Sequence, residues 1–483
     1  MFKYVRRLFT IAKIYDNPTE AIADIRTGSS IAIGGYMNAG VPENLVNALK
    51  AYGNYDFTVI TQGSSIENYG VNALINSKQV KRLITPFLGS KEINRQYHNG
   101  ELELELVPGG TLAEKIRAAG AGIPGFWTST GVGTIIEEGG FPIKYKRGGT
   151  GILIQAEGKE KRFFNGREHI YEEAIRTEYA LVKAWKADKL GNCIYHRAAM
   201  NFNPEIAICA KHTIIEAEEI VPIGELPPDE IDTPAIFVER IVLGEKYSQH
   251  VNQKMQFDEQ DEHDEKTMES LTRIAKRVSK ELKSGMYVKI DQGIPSLVPQ
   301  YLDEGVILAS SSGIIGVGKS ESTAYMDPSL VYEDGLLGSI TKGGVVVSTN
   351  MMMDLLRGGH FDASVMGAFQ VSSFGDLSNW YVPGVYVKGI GGSMDSVADK
   401  NLKIIVAMKH THHDRPKIVS ECTLPLTGRN CVKLLVTELG VFDFREDGLN
   451  LMEMAEGVTL EHIRSKTGCG FTISSDLKTM SVD

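Results

Sequence analysis

Cysteine is scarce in this chain: five in 483 residues, at Cys193, Cys209, Cys422, Cys431 and Cys469. They are odd in number and lack paired close spacing, which excludes a disulfide framework and a cysteine-held zinc module and fits free thiols in a reducing compartment. Positive charge is short as well. A formal net charge of −10, with no lysine- or arginine-rich face, argues against nucleic acid as the main partner. No apolar run is long enough to span a bilayer, so no transmembrane segment is expected. Acid is missing altogether from residues 1–15, where Lys3, Arg6, Arg7 and Lys13 interleave with Phe2, Val5, Leu8 and Phe9 ahead of Asp16. That is the composition of a mitochondrial-type transit segment; its shortness and poverty in serine leave a basic first helix as the competing reading.

What remains is ordinary for a globular protein, and its length calls for two domains. The unit that opens the text is strand, glycine loop, helix: Ser30–Ile33, then Gly34-Gly35 and Gly40-Val-Pro42, then an amphipathic helix from Glu43 to Lys50. Such units build parallel sheets. Further strands are expected at Phe57–Ile60, Lys81–Ile84, Leu102–Val107 and Tyr179–Trp185, with a helix from Gly110 toward Gly125. Residues 256–265 are acidic and nearly free of apolar side chains, as a solvated linker should be.

Beyond that linker the chain repeats itself. Gly28-Ser-Ser-Ile-Ala-Ile33 is echoed by Gly285-Met-Tyr-Val-Lys-Ile290, Val59-Ile-Thr-Gln-Gly63 by Ile307-Leu-Ala-Ser-Ser311, and Ala180–Trp185 with Gly191-Asn192 by Ala363–Ala368 with Gly375-Asp376. Three echoes in one order indicate two related open α/β domains joined by an acidic linker, with a ligand cleft between them. The expected boundaries are 1–15 for the leader, 16–245 for the first domain, 246–268 for the linker and 269–483 for the second.

Within the second half, Val306–Ala309 reads as a buried strand that delivers Ser310-Ser311-Ser312 into a turn eased by Gly313, Gly316 and Gly318. Strand ends of this kind are where open α/β sheets display reactive groups, although Ser-Ser-Ser-Gly taken alone reads as a plain loop.

Over nearly its whole length the chain resembles the family I coenzyme A transferases, of the succinyl-CoA:3-ketoacid group. The resemblance rests on Gly34-Gly-Tyr-Met-Asn-Ala-Gly-Val-Pro-Glu-Asn44, Glu173-Ala-Ile175, Ala180–Asp188, Leu356-Arg-Gly-Gly-His360, Gly375–Trp380, Gly391-Gly-Ser-Met-Asp395, Cys422–Gly428 and Thr467-Gly-Cys469. It implies coenzyme A as substrate or ligand with no permanently bound cofactor and no metal. It also implies an acyl-pocket loop at Asn38, Ala39 and Gly40, and backbone N–H groups at Gly391 and Gly392 as an oxyanion or CoA site. The family's chemistry is covalent: a glutamate carboxylate attacks an acyl-CoA, and the resulting anhydride is converted to a glutamyl-CoA thioester, so activation survives each step.

By the same resemblance the glutamate belongs where Ser311 stands, and the next family asparagine where Ser312 stands. Polar active-site positions are also altered at Gln62, Gly63, Gly109 and Lys289. A seryl ester is far less activated than a thioester, so acylated Ser311 would be drained by hydrolysis and would not return its acyl group to CoA. The implied reading is a catalytically inactive or impaired member, a pseudoenzyme serving as a structural or assembly subunit that retains a CoA-like ligand. The alternative is an active transferase of ketone body metabolism, moving CoA between succinyl-CoA and a 3-oxoacid or acetate-type acid through a surrogate nucleophile. A thioesterase-like hydrolase built on Ser311 is a third reading, without an evident base in the sequence. A homodimer, a larger mitochondrial assembly and a matrix location complete what the resemblance implies.

Other candidates are weaker. Glu321 is separated from Ser311 by the glycine loop and is set aside as a substitute nucleophile. His410, His412 and His413 with Asp414 have metal-like spacing but no supporting pair, so a solvated loop is expected. Asp395 reads as a helix cap rather than a catalytic group. The acid-free start yields a direct check: residues 1–15 fused to a fluorescent reporter should carry it into mitochondria, and a diffuse cytosolic signal would overturn that expectation.

Overall fold

The structure, a computed structural model, describes residues 12–63, 66–247, 265–318, 327, 329–330 and 338–482. Most of the expected leader, most of the acidic linker and Glu321 therefore lie outside the described residues. Of the leader, Lys13–Tyr15 is already part of the first domain, pairing in parallel with Arg240–Val242 at the sheet edge.

The first half is built on a sheet whose order is 13–15, 240–243, 210–221, 177–188, 30–33, 57–60, 80–85 and 103–106, all parallel, with the short strand 193–194 turned back on 177–188. Its strands alternate faces as a pleat requires. Ile31, Ile33 and Val59 face one apolar cluster, with Leu45 and Leu49 of the helix Glu43–Tyr52. Ala32 and Ile60 face another, with Leu112, Ile116 and Ala119 of the helix Gly109–Gly120 and Ile206 of Asn203–Cys209.

The second half repeats the central order. Strands 403–407, 363–366, 287–290 and 307–310 lie side by side in parallel, as 210–221, 177–188, 30–33 and 57–60 do in the first. The echoes in the sequence are thus echoes in space. Two of the three need a shift of one residue, however. Ala32 is level with Ile60 and Lys289 with Ala309, so Gln62, rather than Gly63, occupies the position equivalent to Ser311. A one-residue slip exchanges the faces of a strand, and only ladder register reveals it. Alternation also explains Lys289: Val288 and Ile290 enter the core, which turns Lys289 to the opposite face, where the first half carries the buried Ala32.

The halves differ beyond 307–310. The chain reverses into strands 314–318 and 339–346, both antiparallel, instead of continuing through helices. Ser311–Gly313 is therefore a three-residue hairpin loop. Gly313 takes φ +99°, and a Cβ there would stand 2.0 Å from the Val347 carbonyl oxygen, so only glycine fits. Gly316 serves a bulge within the next strand and Gly318 stays inside it, so neither helps to make the turn expected of them.

The halves share one core. Trp380, Tyr381, Val387, Ile390 and Met394 of the second are buried in the first half's apolar cluster, and Trp380 is fully enclosed against Phe141. Trp380→Ala should cost about 3–5 kcal/mol, the usual toll for an emptied aromatic site. Denaturant unfolding followed by fluorescence and by circular dichroism would register it as a lowered midpoint, with the two probes no longer coincident as the halves come apart.

Candidate functional site

Ser311 sits at the tip of its hairpin, 3 % exposed. Its neighbours Ser310 and Ser312 bond to each other, Oγ to Oγ at 3.0 Å. A Cβ on Gly392 would lie 3.4 Å from Ser311 Oγ and 3.2 Å from the Met353 methyl, so Ser311, Gly392 and Met353 are immediate neighbours. The structure thus brings Ser311, Ser312, Gly391 and Gly392 together.

Gly109 joins them from the other half. Its N–H donates to the Gly391 carbonyl at 2.7 Å, and the Gly391 N–H donates to the Pro86 carbonyl at 3.0 Å. A Cβ on Gly109 would stand 3.1 Å from the Gly391 oxygen. A side chain here would oblige the seam between the halves to give by a few tenths of an ångström. Next in the helix, the Gly110 N–H donates to Asp395 at 2.9 Å. Asp395 is fully buried and also takes Thr130 Oγ1 at 3.3 Å and Arg357 at 3.4 Å. It caps a helix, as expected of it, but the helix belongs to the opposite half. Burial pushes its carboxyl up, while Arg357 and the Gly110 N–H hold it back.

Lys289 is buried and ion-paired with Asp291, two residues along the same face of the strand. Asp291 also accepts from Ser393 Oγ at 3.3 Å, and Asn379 Nδ2 donates to Ser393 Oγ at 3.3 Å. Lys289 is therefore tied to the residue that follows Gly392. Its charge is already matched by Asp291, so it is not an idle cation awaiting an anionic ligand.

On the first half, Gln62 and Gly63 end their strand beside Phe87, and a Cβ on Gly63 would lie 3.3 Å from the Phe87 carbonyl oxygen. Phe87 bridges to Gly389 and packs with Tyr36, Met37 and Ala39. Gln62 is buried, and its Nε2 has no partner among the described residues.

The Asn38–Gly40 loop is held by two residues that the sequence did not single out. Asn201 Nδ2 donates to the Ala39 carbonyl at 3.1 Å, and Asn203 Nδ2 to the Gly40 carbonyl at 2.9 Å. In the sequence, Asn201-Phe-Asn-Pro204 looks like a helix start, which hides this second role. Glu205, in the following turn, accepts from Ser348 Oγ at 2.8 Å. Burial pushes its carboxyl up to about 7, against the Ser348 hydroxyl that holds it down.

Chemically, the site offers a buried hydroxyl, glycine backbone, and a lysine–aspartate pair that is already satisfied. Histidine ring bonds among the described residues lie elsewhere: His196 to Asp327, His212 to Glu239, His410 to Thr437 and Thr467, and His98 and His169 to backbone carbonyls. Among the described residues no group of three or more histidine, cysteine, aspartate or glutamate side chains is placed to hold a metal ion. No helix of the described residues is long and apolar enough to cross a membrane.

Comparison with known proteins matches this chain to the family model described as Coenzyme A transferase over residues 15–244 and 271–466. The human mitochondrial succinyl-CoA:3-ketoacid coenzyme A transferase 2 is 40% identical over 474 residues, covering 97% of this chain and 92% of that protein. The mitochondrial succinyl-CoA:3-ketoacid coenzyme A transferase 2A of Rattus norvegicus is likewise 40% identical over 474 residues, covering 97% of this chain and 91% of that protein. Among solved structures, the acyl-CoA transferase YdiF apoenzyme from Escherichia coli O157:H7 superposes with a TM-score of 0.79 at 20% identity, covering 98% of this chain and 95% of that one. That likeness is one of fold.

The expected solvated loop holds for His412, His413 and Asp414 but not for His410. His410 is fully buried, its Nδ1 3.0 Å from Thr437 Oγ1 and its Nε2 2.9 Å from Thr467 Oγ1. Only His412, His413 and Asp414 are exposed, in a small hairpin. Thr467 spends its own proton on the Ile463 carbonyl at 2.7 Å, so the neutral ring donates to it from Nε2. Burial pushes the His410 imidazole down to about 4. The unfolded chain accepts that proton near an ordinary histidine value of ~6.5 and the folded chain refuses it, so this stabilisation is complete above that value and is lost as pH falls toward 4. Unfolding free energies measured across that window should fall by up to about 1.4 kcal/mol per pH unit more steeply for the native chain than for His410→Gln.

Proposed function

This chain belongs to the coenzyme A transferase family, and from that premise we propose that it binds an acyl-CoA-like ligand between its halves without performing glutamyl-thioester transfer. It acts instead as a structural or assembly subunit. The observation that carries this reading is Ser311, a hydroxyl at the turn where the family resemblance calls for the glutamate. A hydroxyl accepts an acyl group only as an ester, and an ester lacks the activation needed to regenerate a thioester with CoA. The packing around the turn points the same way. Gly109 stands against the Gly391 carbonyl, and Lys289 is consumed by Asp291. A polar side chain restored at 109 alone would meet that carbonyl.

The working location is the mitochondrial matrix, supported by the basic acid-free start and by the mitochondrial relatives. The working assembly is a homodimer within a larger mitochondrial complex. The domains run over 16–245 and 269–483 with the acidic linker between them. Asn38–Gly40 is the acyl-pocket loop, Gly391 and Gly392 form the anion-facing backbone, and Gln62, Gly63, Gly109, Lys289 and Ser312 are the altered positions around them.

Acetoacetyl-CoA or succinyl-CoA incubated with the purified chain should leave no CoA adduct in the intact mass, with or without hydroxylamine. Ser311→Glu should recover little transfer by itself, because groups that act as a unit do not contribute additively. Joining Ser312→Asn, Lys289→Asn and Gly109→Gln to it is the fuller rescue. Robust CoA transfer by the native chain, with an adduct mapped to any residue, would establish the active-transferase alternative in place of this reading.

A further inference from the structure

Three residues with side chains, Met37 at φ +53°, Arg197 at +49° and Asn201 at +22°, hold left-handed backbone within two segments that touch. Asn201 is completely buried and bonded in four directions. Its Nδ2 donates to the Ala39 and Ala198 carbonyls at 3.1 and 2.9 Å, and its Oδ1 accepts the Phe202 N–H at 2.6 Å. Its own carbonyl accepts the Thr349 N–H at 2.8 Å, across to the second half. Strain of this sort persists only where the surroundings impose it, and it gathers at sites whose geometry matters.

Thr349 opens the helix Thr349–Arg357. The residues at its start hold the Ser311 hairpin from behind. The Val347 N–H donates to the Gly313 carbonyl at 2.8 Å, and Thr349 Oγ1 to the Ser311 carbonyl at 3.4 Å. Between these two, Ser348 Oγ donates to Glu205 of the first half. The short run Val347–Thr349 is thus gripped on one side by Asn201 and Glu205 and on the other grips Ser311 and Gly313. It forms a short hydrogen-bonded route from the loop of one half to the turn of the other.

We propose that Asn201 is a positioning residue that sets the Asn38–Gly40 loop and the Ser311 turn at a fixed separation through Val347–Thr349, so that a ligand ordered by one is registered by the other. The inference deepens the ligand-binding reading above and rests on it for the identity of the ligand. The mechanical link itself stands on the hydrogen bonds. It makes the gap between the two loops a property of residues that line neither of them.

Hydrogen exchange on the full chain separates this from a merely structural role. Asn201→Gly accepts the left-handed backbone and deletes the bond to Ala39. Exchange should rise about tenfold or more at the Tyr36 and Ala39 amides and also at Ser312 and Gly313, with the core strand 403–407 unchanged. Thr349→Val should loosen the same two places from the other side, and Thr349→Ser should restore them. Loosening confined to residues 36–40, or spread into the core strand, would overturn the proposal. Dissociation constants for acetoacetyl-CoA add a second arm. Asn201→Gly and Thr349→Val should each weaken binding about tenfold, and together no further, because both cut one link; a hundredfold loss in the double variant would show independent effects. Should the native chain bind no acetoacetyl-CoA, the ligand reading falls while the exchange result still decides the link.

Discussion

Everything at this site depends on how closely the second half's Ile390–Gly392 segment lies against the first half's strand ends. The contact is backbone to backbone: Gly109 N–H to Gly391 carbonyl at 2.7 Å, Gly391 N–H to Pro86 carbonyl, Leu88 N–H to Lys388 carbonyl. A Cβ at 110 would stand 2.5 Å from Asp395 Oδ1, and one at 109 would press on the Gly391 carbonyl, which favours glycine at both places in a helix otherwise suited to alanine. Trp380, Ile390 and Met394 supply the driving force by burying apolar surface in the opposite half. The hydrogen bonds then select one register of docking among those that burial alone would allow.

Several polar groups caught in this seam are satisfied by the opposite half. Asp395 completes the first turn of the helix Gly109–Gly120, and Glu205 takes the Ser348 hydroxyl that caps the helix Thr349–Arg357. Separating the halves would leave helix ends and buried carboxyls to find water. Cooperativity between the halves therefore has two sources, one apolar and one of unmet hydrogen bonds. The carboxyls buried there, Asp395 and Glu205, are pushed up by that burial.

Against that well-ordered scaffold, the chemistry at its centre is spare. Ser311, Gly392 and Met353 meet where the family resemblance implies a carboxylate. In a buried site an unpaired carboxylate would need donors to hold its charge. Here Lys289 answers to Asp291, and the seryl hydroxyl asks for no counter-charge. The electrostatics of the site and the identity of residue 311 are consistent with one another, each making the other tolerable.

Local pattern carried a long way. Apolar alternation, glycine loops and the three echoes were enough for two related α/β domains, and the ordered motifs were enough for the family. Ser311, Ser312, Gly391, Gly392 and Gly109 were all legible as one neighbourhood. Three matters were not. The true register, which makes Gln62 the first half's equivalent of Ser311, depends on ladder hydrogen bonds that the echo in the sequence does not reveal. His410 looked like part of a polar run and proved to be core, because its partners Thr437 and Thr467 are 27 and 57 residues away. Asp395 read as a local cap and Asn201 was not singled out, and their decisive bonds reach Gly110 and Ala39, 285 and 162 residues distant. Short-range periodicity records which face a residue turns inward; only the packed chain decides what it meets there, since contacts between distant segments leave no period in the sequence.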